Sequence, residues 1–404
     1  MKIGLLGQFG SGNSGNDGSL EAMLGFLRRA RPRAELMCIC SNPAKVREGF
    51  GLDVVSLRGR SLADGAATPS AAGLLRFPAR IAGMIAIFRK LAGIDLMIIP
   101  GTGILDDFQE TPFGWPFILF WWCLAARMRG AAVAFVSIGA GPIRNDLSRR
   151  FLKAAVAMAQ YRSYRDDFSL LYVRDMGVDV SGDRCFPDLA FGLPDPLAPS
   201  ISSQAPAHAA IGLGVMTYRG WKRDQADGDA IYHGYIGKLA AIASHLLASG
   251  HSLRLFMGDK ADETALDDLC ARLADCDQAR ISVARTVSLR QVMEETAKVD
   301  LAIVSRYHNL LCALKTGRPT LSLGYSEKND EMMAEFGRSA FCQHIEDFEV
   351  ETVLDQVRDV LADLEPARIE IERRNASIRQ ELAWQEDLLL SGVLGERRRR
   401  RPTT

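Results

Sequence analysis

Short uninterrupted apolar runs alternate with helical patterns along this chain, and that alternation leaves few folds open to it. The first set of runs lies at 2–6, 35–40, 53–56, 95–100 and 132–138, with helical patterns at 19–29, 74–91, 116–129, 147–160 and 166–176. Strands buried on both faces and separated by helices mean βαβ units around a parallel sheet. A second set comes later, with strands at 209–215, 252–257, 280–283, 301–304 and 320–323 and helices at 232–248, 263–274, 289–297, 310–315 and 331–336. Two further helical patterns, 349–364 and 366–390, close it.

Between the sets stand Pro194, Pro196, Pro199 and Pro206, a density that no helix or central strand tolerates. A chain of 404 residues exceeds one ordinary core. The expected division is a domain at 1–195, a linker at 196–206, a second domain at 207–345, C-terminal helices at 346–392 and a disordered basic tail at 393–404. The expected fold class is α/β, two Rossmann-like domains facing a cleft. It is similar to the B-type glycosyltransferase architecture, by analogy for the arrangement and by derivation for the alternation. The Gly/Ala/Ser-rich segment 58–73 reads as a loop.

Lys+Arg and Asp+Glu both number 49, so the formal net charge is zero, unlike a protein that coats nucleic acid. Eight cysteines show no Cys-x-x-Cys spacing, and Cys38 and Cys40 share one face of a strand. This pattern predicts a reduced, cytoplasmic compartment. The start runs straight into a Gly-rich loop, with no signal-peptide pattern. The apolar window 115–126 is shorter than the ~20 residues that span a bilayer. It reads as a buried helix; the rival reading is a helix docked on a membrane face through Trp121 and Trp122.

Several motifs fall where strands end. The loop from Gly7 to Ser19 comes after the first strand, and its Gly12, Asn13, Gly15 and Asn16 suit close ligand approach at a helix N-terminus. Asp17 serves equally as a cap or as a functional carboxylate. Gly10, Gly12 and Gly15 also fit a Gly-x-Gly-x-x-Gly register, with Glu35 placed as a ribose-binding acid, which keeps nucleotide binding open. Pro100-Gly101-Thr102-Gly103 leads to Asp106 and Asp107, either a helix cap or a pair able to supply an acid or base. Ser137 to Pro142 is Gly-rich backbone at another strand end. Arg165 stands between a strand and a helix, where it binds an anion or pairs with Asp166 or Asp188. Arg306 and His308 stand two positions apart after 301–304, and Lys328 comes after 320–323. Neighbouring parallel strands would gather these groups at their carboxyl ends, a setting for a small polyanion carrying phosphate and carboxylate. The other histidines show no metal-ligand spacing, so no metal is expected.

Taken in order, these motifs resemble the polysaccharide pyruvyl transferase family. The resemblance is carried by Gly12-Asn13-Ser-Gly15-Asn16-Asp17, by Pro100 to Asp107 and by Ser137 to Pro142. It continues through Tyr164-Arg165-Asp166 with Ser169, Pro187-Asp188, Ser305-Arg306-Tyr-His308 with Gly317-x-Pro319, and Tyr325-x-x-Lys328. Thr102 departs from the three glycines that the family often has there. The resemblance implies transfer of the enolpyruvyl carbons of phosphoenolpyruvate onto a sugar, giving a cyclic pyruvate ketal. Phosphoenolpyruvate is then a co-substrate, and no cofactor is implied. Arg165, Arg306, His308 and Lys328 would hold this donor, with His308 as acid and Asp106, Asp107 or Asp17 as base. Gly12, Asn13, Gly15, Asn16, Gly101 and Gly103 would lie on the acceptor side. The acceptor is a saccharide, lipid- or nucleotide-linked. The expected setting is the cytoplasm, with peripheral contact at the inner face of the membrane through Arg397 to Arg401; a homo-oligomer stays open. Rival readings are a nucleotide-sugar glycosyltransferase of the same plan and a non-catalytic protein of polysaccharide assembly.

Overall fold

A computed structural model describes residues 1–57, 76–108, 110–196, 208–220 and 227–395. Every assigned strand among them belongs to one of two parallel sheets. The first sheet is built from β1 (Lys2–Leu6), β2 (Glu35–Cys40), β3 (Asp53–Ser56), β4 (Leu96–Pro100), β5 (Ala132–Ile138), β6 (Tyr161–Tyr164) and β7 (Arg184–Cys185). Its helices are α1 (Ser14–Ala30), α2 (Pro43–Phe50), α3 (Arg76–Lys90), α4 (Trp115–Met128), α5 (Asp146–Ala157) and α6 (Asp167–Asp175). The second sheet takes β8 (Ala210–Val215), β9 (Ser252–Met257), β10 (Ile281–Ala284), β11 (Leu301–Val304), β12 (Thr320–Gly324) and β13 (Cys342–His344). With it go α7 (Gly228–Ala248), α8 (Glu263–Arg272), α9 (Leu289–Thr296), α10 (Tyr307–Lys315), α11 (Glu327–Glu335) and α12 (Val350–Ala362), and α13 (Leu364–Ser391) ends the described chain.

The strand orders are β3-β2-β1-β4-β5-β6-β7 and β10-β9-β8-β11-β12-β13. Each order reverses direction once, between β1 and β4 and between β8 and β11, and such switch points open a crevice at the carboxyl ends of the strands. The central strands are continuous apolar runs because helices cover both faces: β4, β5, β11 and β12 are buried throughout. The α/β class with two Rossmann-like parallel sheets is as expected from the alternation.

The chain forms two compact units, one of Met1–Gly192 with Gln380–Thr404 and the other of Leu193–Arg379. The closing segment 346–392 therefore does not stand apart. Val353, Leu354, Val357 and Val360 of α12 join the core of the second unit. Leu389 of α13 and the later Leu394 join that of the first. Segments 58–73 and 197–206 and the arginine run lie outside the described residues. Helix α4 is a core element: Trp122 is fully buried, and its Nε1 donates to the Leu57 carbonyl at 2.9 Å. That burial removes Trp122 from any membrane-facing role; Trp121 is half-buried.

Candidate functional site

In the first unit the loop after β1 is shaped by its own side chains. Asn13 caps α1, its Oδ1 accepting from the amides of Gly15 (3.0 Å) and Asn16 (3.3 Å). Asn16 Nδ2 donates to the Gln8 carbonyl at 3.4 Å. Asp17 Oδ1 accepts from the Gly10 amide at 2.7 Å, while its other oxygen lies 3.9 Å from Lys45 Nζ. Gly12 has φ +105° with open space on its Cβ side. Asp17 thus holds the loop closed, which weighs against a role as base.

The turns after β4 and β5 are laced together. Gly139 N–H donates to the Thr102 carbonyl at 2.7 Å, and Leu105 N–H to the Gly139 carbonyl at 3.2 Å. Gly101 and Thr102 both take left-handed backbone, φ +60° and +67°. Thr102 thereby keeps a conformation that glycine adopts without strain. A Cβ on Gly141 would meet the Asp106 Cβ at 3.2 Å, and one on Gly103 the Asp106 Oδ2 at 3.8 Å. Asp106 Oδ1 accepts from the Phe108 amide at 3.2 Å. Asp107 is different: its oxygens accept from the amides of Arg144 and Asn145, both at 2.9 Å, fastening the start of α5. With both oxygens so engaged, Asp107 is geometrically a structural carboxylate.

Arg165 comes directly after β6, and its guanidinium lies on Gly139, where a Cβ would come within 2.8–2.9 Å of it. The same group is 3.7 Å from a Cβ built on Gly103. Two carboxylates flank it, Asp166 and Asp188, each at 3.4 Å. Asp166 also caps α6 through the Ser169 amide at 2.7 Å, and Asp188 holds the Ala190 amide at 3.0 Å. Arg165, Asp106, Asp166 and Asp188 therefore form one cluster at the carboxyl ends of β4 to β6, floored by glycine backbone.

In the second unit Arg306 precedes α10 and His308 sits in its first turn. The Arg306 guanidinium grips the fully buried Asp262 through two hydrogen bonds, one from Nε and one from Nη2 at 2.6 Å. Asp262 also accepts from the Thr217 amide at 2.9 Å. Burial works to lower the Arg306 pKa, but the hydrogen bond and charge of Asp262 reverse it, so the group is held above its ordinary value. Lys328 occupies the first turn of α11, after the adjacent strand β12. The buried Asn329 ties the two strand ends together: its Nδ2 donates to the Ser305 carbonyl at 3.3 Å. Ser305 Oγ shares a 2.8 Å hydrogen bond with Tyr235. Arg306, His308 and Lys328 thus issue from neighbouring strand ends, while Arg165 belongs to the other unit.

Two participants escaped the sequence reading. Asp262 was masked by its distance in sequence from Arg306; its only signal was an acidic loop after an apolar strand. Asn309 is fully buried in the first turn of α10, and neither end of its amide finds a hydrogen-bond partner among the described residues. A Cβ on Gly214 would come within 2.9 Å of its Nδ2. Among the described residues no group of three or more His, Cys, Asp or Glu is placed to hold a metal ion. No helix among them is long and apolar enough to cross a membrane.

The fold defines a class of two-unit Rossmann-like proteins. A putative UDP-N-acetylglucosamine 2-epimerase from Listeria monocytogenes is similar with a TM-score of 0.59 at 13% identity, over 92% of this chain and 90% of that one. Anabaena Alr3699/HepE, solved in complex with UDP and glucose, gives 0.56 at 13% identity over 97% and 99%. A glycosyltransferase from Rickettsia africae gives 0.54 at 10% identity over 96% and 98%. At such identities the likeness is one of fold. No curated protein matches the sequence. The family model for polysaccharide pyruvyl transferase matches residues 13–327, and the chain belongs to that family.

Proposed function

We propose that this protein moves the enolpyruvyl group of phosphoenolpyruvate onto a sugar of a cell-surface polysaccharide, or onto its lipid- or nucleotide-linked precursor. Family membership supports a pyruvyl transferase. The observation that carries the donor assignment is the placing of Arg306, His308 and Lys328 at adjacent strand ends, two of them in first helical turns. A helix N-terminus and several cations suit a molecule bearing both phosphate and carboxylate. His308, as imidazolium, gives a proton to the donor methylene, and positive charge grows at C2. A sugar hydroxyl attacks C2 and yields its proton to a base. Phosphate leaves with the proton that the base took, and a second hydroxyl closes the ketal, its proton replacing the one His308 gave. Asp106 is our choice of base: Asp107 has both oxygens on backbone amides and Asp17 holds the loop after β1 and faces Lys45, whereas Asp106, whose Oδ1 accepts from the Phe108 amide, lies in the Arg165 cluster. Arg165, flanked by two carboxylates, is proposed as a further donor-binding cation. No resident cofactor is invoked, and the setting proposed is the cytoplasm, at the inner face of the membrane.

The test is phosphate release from phosphoenolpyruvate with candidate acceptors. His308→Ala should lower turnover at least ~10²-fold, as for a lost general acid; unchanged turnover removes His308 from the chemistry. The second reading, a nucleotide-sugar glycosyltransferase, draws on the fold shared with nucleotide-sugar enzymes. Calorimetric titration separates them: binding of UDP-sugars with indifference to phosphoenolpyruvate favours the second.

A further inference from the structure

Strand β5 does not pair evenly with β6. Ala134 faces Tyr161 and Phe135 faces Arg162, and then the register slips before Ile138 meets Tyr164. In the slip sits Ser137, fully buried, with φ +48°. A serine in left-handed backbone is strained and persists only where its surroundings over-determine it. Here the surroundings are polar. Ser137 N–H donates to Ser163 Oγ at 2.8 Å. Gln385 reaches in from α13, its Nε2 donating to Ser137 Oγ at 2.8 Å and to Ser163 Oγ at 3.0 Å. Gln385 is itself 2% exposed.

The three residues beyond Ser137 all bear on the site. The Ile138 carbonyl accepts from the Arg165 amide at 3.1 Å. Gly139 is the floor beneath the Arg165 guanidinium, and the Ala140 amide donates to Ser169 Oγ at 2.8 Å, beside the Asp166 cap. The backbone bend that Gln385 fastens is thus the one that sets the height and tilt of Arg165's support.

We propose that Gln385 is a positioning residue for Arg165, acting through the Ser137–Ser163 hydroxyl pair. The last helix then contributes to the site without touching its ligand. The idea rests on the proposed pyruvyl transfer only in giving Arg165 a substrate to serve. Gln385→Leu removes both donated hydrogen bonds, while Leu389 and Leu394 keep the helix anchored in the core.

The test has two arms. Without any ligand, hydrogen exchange at the Gly139 and Ala140 amides should quicken about tenfold in Gln385→Leu, with Ile98 on β4 unchanged. Exchange at 139–140 that stays at the wild-type rate overturns the proposal. In the phosphate-release assay, Gln385→Leu should lower kcat/KM about tenfold in the wild-type background and hardly at all when combined with Arg165→Ala. Equal losses in both backgrounds mean that Gln385 does not act through Arg165. If Gln385→Leu fails to fold, Ser163→Ala breaks the same link and takes its place in both arms. A wild-type protein that releases no phosphate counts against the functional reading alone, and the exchange arm then decides this one.

Discussion

Arg306 balances a buried carboxylate and, in the reaction proposed above, would also meet a substrate anion. Two of its N–H groups are spent on Asp262, which is fully buried. Arg306→Ala should therefore cost stability as well as donor affinity, because it strands a charge in the core; losses of about 3–5 kcal/mol are usual for breaking such a pair. Urea unfolding beside phosphoenolpyruvate titration separates the two effects. The paired replacement Arg306→Met with Asp262→Leu should recover much of the stability and none of the affinity. If Arg306→Ala unfolds like wild type, the pair is not structural. The sequence showed the cations because each comes after an apolar run. It could not show Asp262, 44 positions away, nor distinguish Asp106 from Asp107. That distinction depends on where α5 begins in space, a tertiary fact.

Elements, rather than residues, carry the pH response. Glu295 on α9 accepts from Arg254 of β9 at 2.5 Å and from Lys298 at 2.7 Å. Burial works to raise its pKa, but the hydrogen bonds from Lys298 and Arg254 prevail, and the carboxyl is held below its ordinary 4.5. A lowered folded value means stability that is present above the ordinary pKa and lost as pH falls through the folded one. Glu295→Gln should thus be less stable than wild type at pH 7, by on the order of 1–3 kcal/mol. The gap should narrow below the ordinary pKa and close below the lowered value, as read by thermal unfolding across pH. A gap that persists under strongly acid conditions would mean that packing, not charge, accounts for it. At this scale the sequence was most legible where burial is two-sided: β1, β4, β5, β8 and β11 were all visible as apolar runs. It was least legible for α2, which buries only Val46, and for β13, an edge strand of three residues with none buried. Elements with little to bury leave little pattern.

For the whole molecule, the repeated alternation foretold two parallel sheets, and the ordered motifs foretold the family. What stayed hidden was the return of the last helix, because its Leu, Glu and Arg pattern fits a partner anywhere. Leu389 and Leu394 are each 1% exposed in the core of the first unit. Either one replaced by alanine should cost about 2–5 kcal/mol. A chain ending at Arg379 should leave the first unit open to limited proteolysis while the second resists it; a resistant first unit would refute the assignment. The same return of the helix governs the order of birth. Domains generally fold as the nascent chain emerges, earliest first. Here the first unit needs residues from Gln380 onward, which come after the whole of the second unit, so the second unit's sequence leaves the ribosome complete before the first's does.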